Sequence, residues 1–210
     1  MAVRIADENG VNATGNVESS PGSTTILGRL KAIADAIASA AAATILAAGE
    51  NHIGQVGGHT AFPTSTPTLS VAGQYATGDY IGPSTTPTSF ASAVRTSGGS
   101  GVLMSVVIAD KSVTAAVALE LWLFSATFTA PTDNGAWNMS DADGLNCIGV
   151  VEIPTTGWYA SSAGKIFTAK GISLPVKCAA TSLFYALVAR GTTPTWTDGD
   201  LKLTLGILQD

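Results

Sequence analysis

Hydrophobic and polar positions follow two different periods along this chain, and the change falls near residue 69. From Met1 to Thr25 the sequence is polar, broken by Asn, Gly, Ser and the pair Pro21-Gly22, and shows no period of 2 or 3.6 residues that would define a buried face. Residues 1–25 are expected to form a flexible arm. Ser23, Thr24 and Thr25 then offer N-caps to a run of strong helix formers, ILGRLKAIADAIASAAAATILAA, closed by Gly49. This predicts an amphipathic, Ala-rich helix over 26–48. Its large apolar residues Ile26, Leu30, Ile33 and Ile37 follow a 4-3-4 spacing, continued less strictly by Ala41 and Ile45, which sets all six along one seam. Isoleucine at both kinds of seam position favours bundles of three or four helices, while docking of one helix on its own sheet domain produces the same pattern.

Residues 49–68 hold GENHIGQVGG and PTSTPT, too rich in Gly and Pro to continue a helix, and read as an extended linker. Beyond Leu69 the period becomes 2. Val102, Met104, Val106 and Ile108 alternate in one run, Leu119, Leu121 and Leu123 in a second, and Leu201, Leu203, Leu205 and Ile207 in the last. LSVA at Leu69, SFASAVR at Ser89, CIGVVEI at Cys147, KIFTAKGISL at Lys165 and SLFYALVAR at Ser182 are further strand candidates, separated by turn signals such as SGGSG, TDNG, DADG and TDGD. Strands without intervening helices predict a mainly β domain over 69–210, an antiparallel β-sandwich of jelly-roll type, preceded by the arm and one α-helix. LWLF at Leu121 and LFYALV at Leu183 are apolar on both faces, as expected where a strand's outer side meets a helix, a loop or a neighbouring subunit.

Composition sharpens that expectation. The 210 residues are 46% hydrophobic, yet only 12% are charged, against roughly 25% in an average soluble domain. Such a surface is built from Thr, Ser, Gly and Ala or is covered by other subunits, and the second reading is preferred because free monomers expose only small apolar patches. A net charge of −5 removes counterion release as a drive for nucleic-acid binding. Lys31 and Asp35 interrupt the Ala-rich run, and no apolar span of about 18 residues exists, so no membrane helix is expected. The N-terminal MAVRIADENG lacks the apolar stretch of a secretory signal, and Cys147 and Cys178, with no CxxC spacing, are read as buried free thiols.

Catalytic chemistry has no constellation to rest on. The two imidazoles, His52 and His59, lie seven positions apart in the Gly-rich linker without an HExxH motif, which points to solvated turn residues and to no metal site. The elbow GxSxG and the phosphate loops GxGxxG and GxxxxGKS are absent, so neither a nucleophile nor a cofactor is expected. Asp133, Asp141 and Asp143, and separately Asp198 and Asp200, fall in turn sequences where Asp and Gly are recruited for steric reasons. Trp137, Trp158 and Trp196 lie in loop-like segments and admit two readings: caps on the ends of a sandwich core, or a stacking surface for glycans.

The segments TILGRLKAIADAI, GENHIGQVGG, SVAGQYATGDYIG, GSGVLMSVVIADKS, LELWLFSA, DADGLNCIGVVEI, LFYALVARGTTPTW and LKLTLGILQD together resemble a group of small structural proteins of tailed bacteriophages, from Thr25 to Asp210. The resemblance implies a non-enzymatic β-sandwich of the virion that decorates or cements the capsid, or belongs to the tail or a fibre. It implies no catalytic residues. Partners expected on this reading are further copies of the chain, with a trimer favoured, and the major capsid protein or another virion protein, the whole assembled in the bacterial host cytoplasm. The alternative is a tail, baseplate or fibre component contacting host glycans through Trp137, Trp158 and Trp196.

Overall fold

Alanine-rich sequence with few β-branched residues favours helix, and residues Ile26–Thr44 form α1. Lys31 and Asp35, one turn apart on this helix, pair at 2.9 Å across its exposed face. The computed structural model describes residues 26–44, 58–70, 73–112, 115–191 and 193–210, with the side chains of α1 described over 29–38. The arm expected over 1–25, the end of the helix at 45–48, the linker to residue 57 and His52 lie outside the described residues. The chain divides into two units, Met1–Val56 and Gly57–Asp210.

The second unit is built from strands in this order: β1 (His59–Ala61), β2 (Thr64–Ser65), β3 (Gly73–Gln74), β4 (Tyr80–Ile81), β5 (Thr88–Phe90), β6 (Ser100–Asp110) and β7 (Ala118–Phe124). A single helical turn, α2 (Asp141–Gly144), precedes β8 (Cys147–Ile153), β9 (Trp158–Ser161), β10 (Gly164–Lys177), β11 (Leu183–Arg190), β12 (Thr195–Trp196) and β13 (Leu201–Gln209). One sheet runs β1-β13-β6-β10-β9, with β2 also on β13; the other runs β4-β11-β7-β8, with β5 also on β11. All the pairings are antiparallel. With β1–β2 as the first position, β4–β5 as the second, and β6, β7, β8, β10, β11 and β13 as the rest, the sheets read 1-8-3-6 and 2-7-4-5. That order is a jelly roll.

The core lies between the two sheets. Leu103, Val106, Ile108, Leu201, Leu203 and Leu205 from one sheet meet Leu119, Leu121, Leu123, Leu183, Tyr185 and Leu187 from the other, all essentially inaccessible to water. Each such side chain contributes about 1.5–3 kcal/mol on leaving water, which is why the period-2 runs end up in sheets rather than loops. A second, smaller cluster sits on the outer side of the β4-β11-β7-β8 sheet. There Phe128, Ala130, Trp137 and Met139, from the connection between β7 and β8, cover Tyr80, Trp122, Phe124 and Ala186. The two-sided apolar runs at Leu121 and Leu183 are thus covered on their outer side by a loop of the same chain.

Three local readings of the sequence differ from the structure. Residues 59–65, expected to end the linker, form β1 and β2, because the edge of β13 supplies backbone partners that a segment without apolar periodicity cannot announce. In β6, Ser105 and Leu103 face the consecutive residues Gly206 and Ile207, leaving Met104 as an extra residue. The bulge reverses the alternation, so Val102 and Met104 are on the outer face while Leu103, Val106 and Ile108 are buried. DADG is a helical turn rather than a β-turn: Ser140 Oγ accepts the Asp143 N–H at 3.1 Å and caps it.

Glu120 and Arg190, on the neighbouring strands β7 and β11, form an ion pair at 2.9 Å. The Arg190 hydrogen bond, joined by one from Trp122 Nε1–H at 2.9 Å, holds the Glu120 carboxyl below the usual carboxylate range, against the opposing effect of partial burial. A depressed folded pKa gives stability that is present above the unfolded pKa and lost as pH falls through the folded one. The destabilisation caused by Arg190→Ala, read from urea midpoints, is therefore expected to be larger near pH 7 than near about pH 3.

Candidate functional site

Three carboxylates are buried among the described residues of the sheet unit: Asp143, which accepts the Ser140 hydroxyl at 2.6 Å within α2, and two that join separate parts of the chain. Asp110 ends β6 directly opposite Lys165 of β10, and its Oδ2 lies 2.7 Å from Lys165 Nζ. The same oxygen accepts the Trp196 indole N–H at 3.0 Å, while Oδ1 accepts the Ser112 N–H at 2.7 Å. Lys165 also donates to the Ser112 carbonyl and hydroxyl oxygens, at 3.3 Å each, and sits 5.8 Å from the centre of the Trp158 ring. A carboxylate held by an ammonium and two N–H donors is fixed as an acceptor, which suits a structural clamp between β6, β10 and β12.

Asp133 is the second. Its Oδ1 accepts from the Tyr75 hydroxyl at 2.9 Å and the Gly82 N–H at 3.4 Å, and its Oδ2 accepts the Ser70 N–H at 2.7 Å. Its own N–H donates to Ser84 Oγ at 3.1 Å. One side chain thereby ties residues 70–84 to the start of the connection after β7. Burial and the neighbouring Asp133 push the Tyr75 phenol far above its ordinary range, so it acts as a donor throughout the physiological range.

The two thiols are also shifted by their surroundings. Cys147 opens β8, Cys178 follows β10, both are free, and both line a cleft of 690 Å³ bordered by Leu145, Ile148, Pro175 and Val176. Burial raises both thiols, Cys178 to about 11, which disfavours the thiolate that nucleophilic attack requires; Cys178 is buried and Cys147 half-buried. His59 is exposed on β1, with Nδ1 3.1 Å from Gln209 Oε1. Among the described residues no group of three His, Cys, Asp or Glu side chains is placed to hold a metal ion. The described helices include none long and apolar enough to cross a membrane.

The three tryptophans considered for glycan contact occupy three different environments. Trp196 is fully buried, its ring 5.5 Å from that of Tyr75, and presents no face to a ligand. Trp137 is half-buried in the aromatic cluster outside β11 and β7, its ring about 6 Å from those of Tyr80, Trp122 and Phe128. Trp158 starts β9 rather than lying in a loop, stacks at 5.5 Å against Phe167 and donates its indole N–H to the carbonyls of Val117 and Pro154. All three are tied down by core or loop packing. The most exposed aromatic side chain beside them is Tyr159, which alternation along β9 sends to the opposite face from Trp158.

Large apolar side chains are exposed on both units. On α1, Leu30, Ile33 and Ile37 are 56%, 55% and 63% exposed, forming the described part of the expected seam; Ile26 and Ala41 lie within the helix, and Ile45 lies outside the described residues. On the sheet unit, the outer side of β13-β6-β10 carries Val102, Met104, Val107, Ala109, Ile166 and Leu208, continued at its margins by Tyr159 and Phe62. The signal for this second surface is present in the run GVLMSVVIA, which is apolar at both parities, but the Met104 bulge hides which residues share a face.

No family model matches the chain, and no curated protein matches it. Among solved structures, one from Desmodium yellow mottle tymovirus is similar over 73% of this chain and 82% of that chain, at 13% identity and a TM-score of 0.25. The resemblance to structural proteins of tailed bacteriophages accordingly rests on the sequence segments quoted above.

Proposed function

We propose that this protein is a non-enzymatic structural subunit of a bacteriophage virion, a decoration protein that binds the major capsid protein and cements the shell. It assembles in the bacterial host cytoplasm as a homotrimer held by the α1 seam, and uses no cofactor and no nucleic acid. The observation that carries this reading is the seam itself, with Leu30, Ile33 and Ile37 more than half exposed on a helix whose other described positions are small or charged. A narrow stripe of this kind, built from Leu and Ile, is buried by two or three further copies of the same helix, of which the trimer is the assembly proposed. The inert carboxylates and raised thiols of the sheet unit agree with a role in which contact, rather than bond chemistry, is the product.

Subunits that bind only the assembled shell stabilise it by mass action. Virions lacking the protein are therefore expected to lose heat and osmotic resistance, and adding purified protein back restores it; unchanged resistance contradicts cementing. At the level of the subunit, Ile33→Asp/Ile37→Asp is expected to convert the trimer to smaller species in sedimentation velocity while leaving the unfolding midpoint of the sheet unit in place. A trimer that survives both substitutions in high salt contradicts the seam.

A further inference from the structure

The two sheets are treated differently on their outer sides. The β4-β11-β7-β8 sheet carries its own cover, the aromatic connection from β7 to β8, whereas the β13-β6-β10 sheet has none among the described residues of its unit, and Phe62, Tyr159 and Ile166 stand 68%, 75% and 48% exposed over it. Charge is segregated in the same way. Lys170, Lys177 and Lys202 project from this face, without ion-pair partners among the described residues, and the acids of its long strands and their ends are the buried Asp110 and the exposed Asp210, which accepts the Ser100 hydroxyl. The complementary character sits on α2 and β8: Leu145 is 89% exposed, Val150 is exposed, and Asp141 and Glu152 accompany them with no basic residue in either element.

Strand edges offer less. β10 carries Pro175 and a bulge against β6 between Lys170 and Leu174, and β8 is bulged against β7 near Cys147, irregularities that bend strands and blunt edge-to-edge pairing. Packing of this face on the identical face of another copy would set three lysines against three lysines. We infer that the sheet units of neighbouring copies pack head to tail, the lysine-bordered face of one receiving the Leu145, Val150, Asp141 and Glu152 margin of the next. A heterologous contact of this type closes into a ring when its rotation fits, and a ring of three is the symmetry that the α1 seam also serves. The inference rests on the reading of the chain as a self-assembling structural subunit, and its interface is separate from the seam.

The test uses the full chain carrying Ile33→Asp/Ile37→Asp, so that the sheet units are the remaining contact. Sedimentation velocity is expected to show reversible self-association that weakens with added salt. Lys170→Glu/Lys202→Glu is expected to weaken it at least about tenfold, and adding Asp141→Lys/Glu152→Lys is expected to restore most of it. A purely monomeric Ile33→Asp/Ile37→Asp protein, or association indifferent to the charge reversal, overturns the inference while leaving the seam intact as a proposal. If Ile33→Asp/Ile37→Asp leaves the oligomer unchanged even in high salt, the seam fails instead. In the unaltered chain, carbodiimide coupling of isotopically mixed copies is expected to join Lys170, Lys177 or Lys202 of one copy to Asp141 or Glu152 of another; links between copies that avoid these residues overturn the head-to-tail contact.

Discussion

Replacing Lys165 by methionine is expected to cost the sheet unit about 3–5 kcal/mol, because it strands the Asp110 carboxylate inside the protein. The Lys165 and Asp110 side chains are 5% and 0% exposed, so water cannot take over the solvation that the ammonium supplies. The clamp also ties β6 to three other strands: Asp110 lies opposite both Lys165 of β10 and Leu201 of β13 and holds the indole of Trp196 in β12. A buried pair of this sort is not by itself a source of net stability, since the gain in attraction is largely offset by the cost of desolvating both ions. Its removal as a pair is accordingly milder than its removal by halves. Asp110→Asn/Lys165→Met, which retains an acceptor for Trp196 without a charge, is expected to recover more than half of the loss. Urea unfolding followed by tryptophan fluorescence reads both variants, and a single variant within about 1 kcal/mol of the parent contradicts the account.

Trp196→Ala is expected to have an effect of the same size, about 3–5 kcal/mol, by opening a cavity at a fully buried side chain. The ring packs against Tyr75, and the two-residue strand β12 that carries it pairs only with β3. Trp196→Phe separates packing from hydrogen bonding: it keeps an aromatic ring but removes the donor to Asp110, and is expected to cost about 1–3 kcal/mol. The same two unfolding curves bear on glycan recognition. A stacking residue on a binding surface is replaced by alanine with little change in stability, so a Trp196→Ala protein as stable as the parent contradicts the burial on which this assignment depends.

Much of the fold is written in local pattern, and the exceptions have identifiable causes. CIGVVEI is β8 from Cys147 to Ile153, and the runs at Leu119, Leu183 and Leu201 fall in β7, β11 and β13, because each places a continuous set of large side chains in the core at period 2. LSVA does not begin as a strand at Leu69, and SFASAVR supplies only Ser89 and Phe90 to β5; Leu69, Ala93 and Val94 are nevertheless buried, so hydrophobicity marks their depth but not their backbone. β1 and β2 depend on pairing with β13, more than 130 residues away in sequence, which no local period reports. Cross-strand partners such as Lys165 and Asp110 are equally silent: each reads as a surface charge until the register sets them side by side.

The surfaces proposed for assembly divide along the same line. The α1 seam is legible because helical spacing alone brings Leu30, Ile33 and Ile37 together. The uncovered sheet face is not, since three strands distant in sequence and one bulged residue, Met104, decide which side chains share it. At the level of single groups, the sequence lacks the motifs of a nucleophile or phosphate loop, and the structure engages the Asp110 carboxylate with three donors and raises the Cys178 thiol by burial.

Imaging the intact virion by cryo-electron microscopy tests the central claim most directly. The account predicts threefold density on the capsid shell that fits the jelly roll, with α1 in a bundle of three helices. Density confined to the tail, or a virion without this protein, contradicts it.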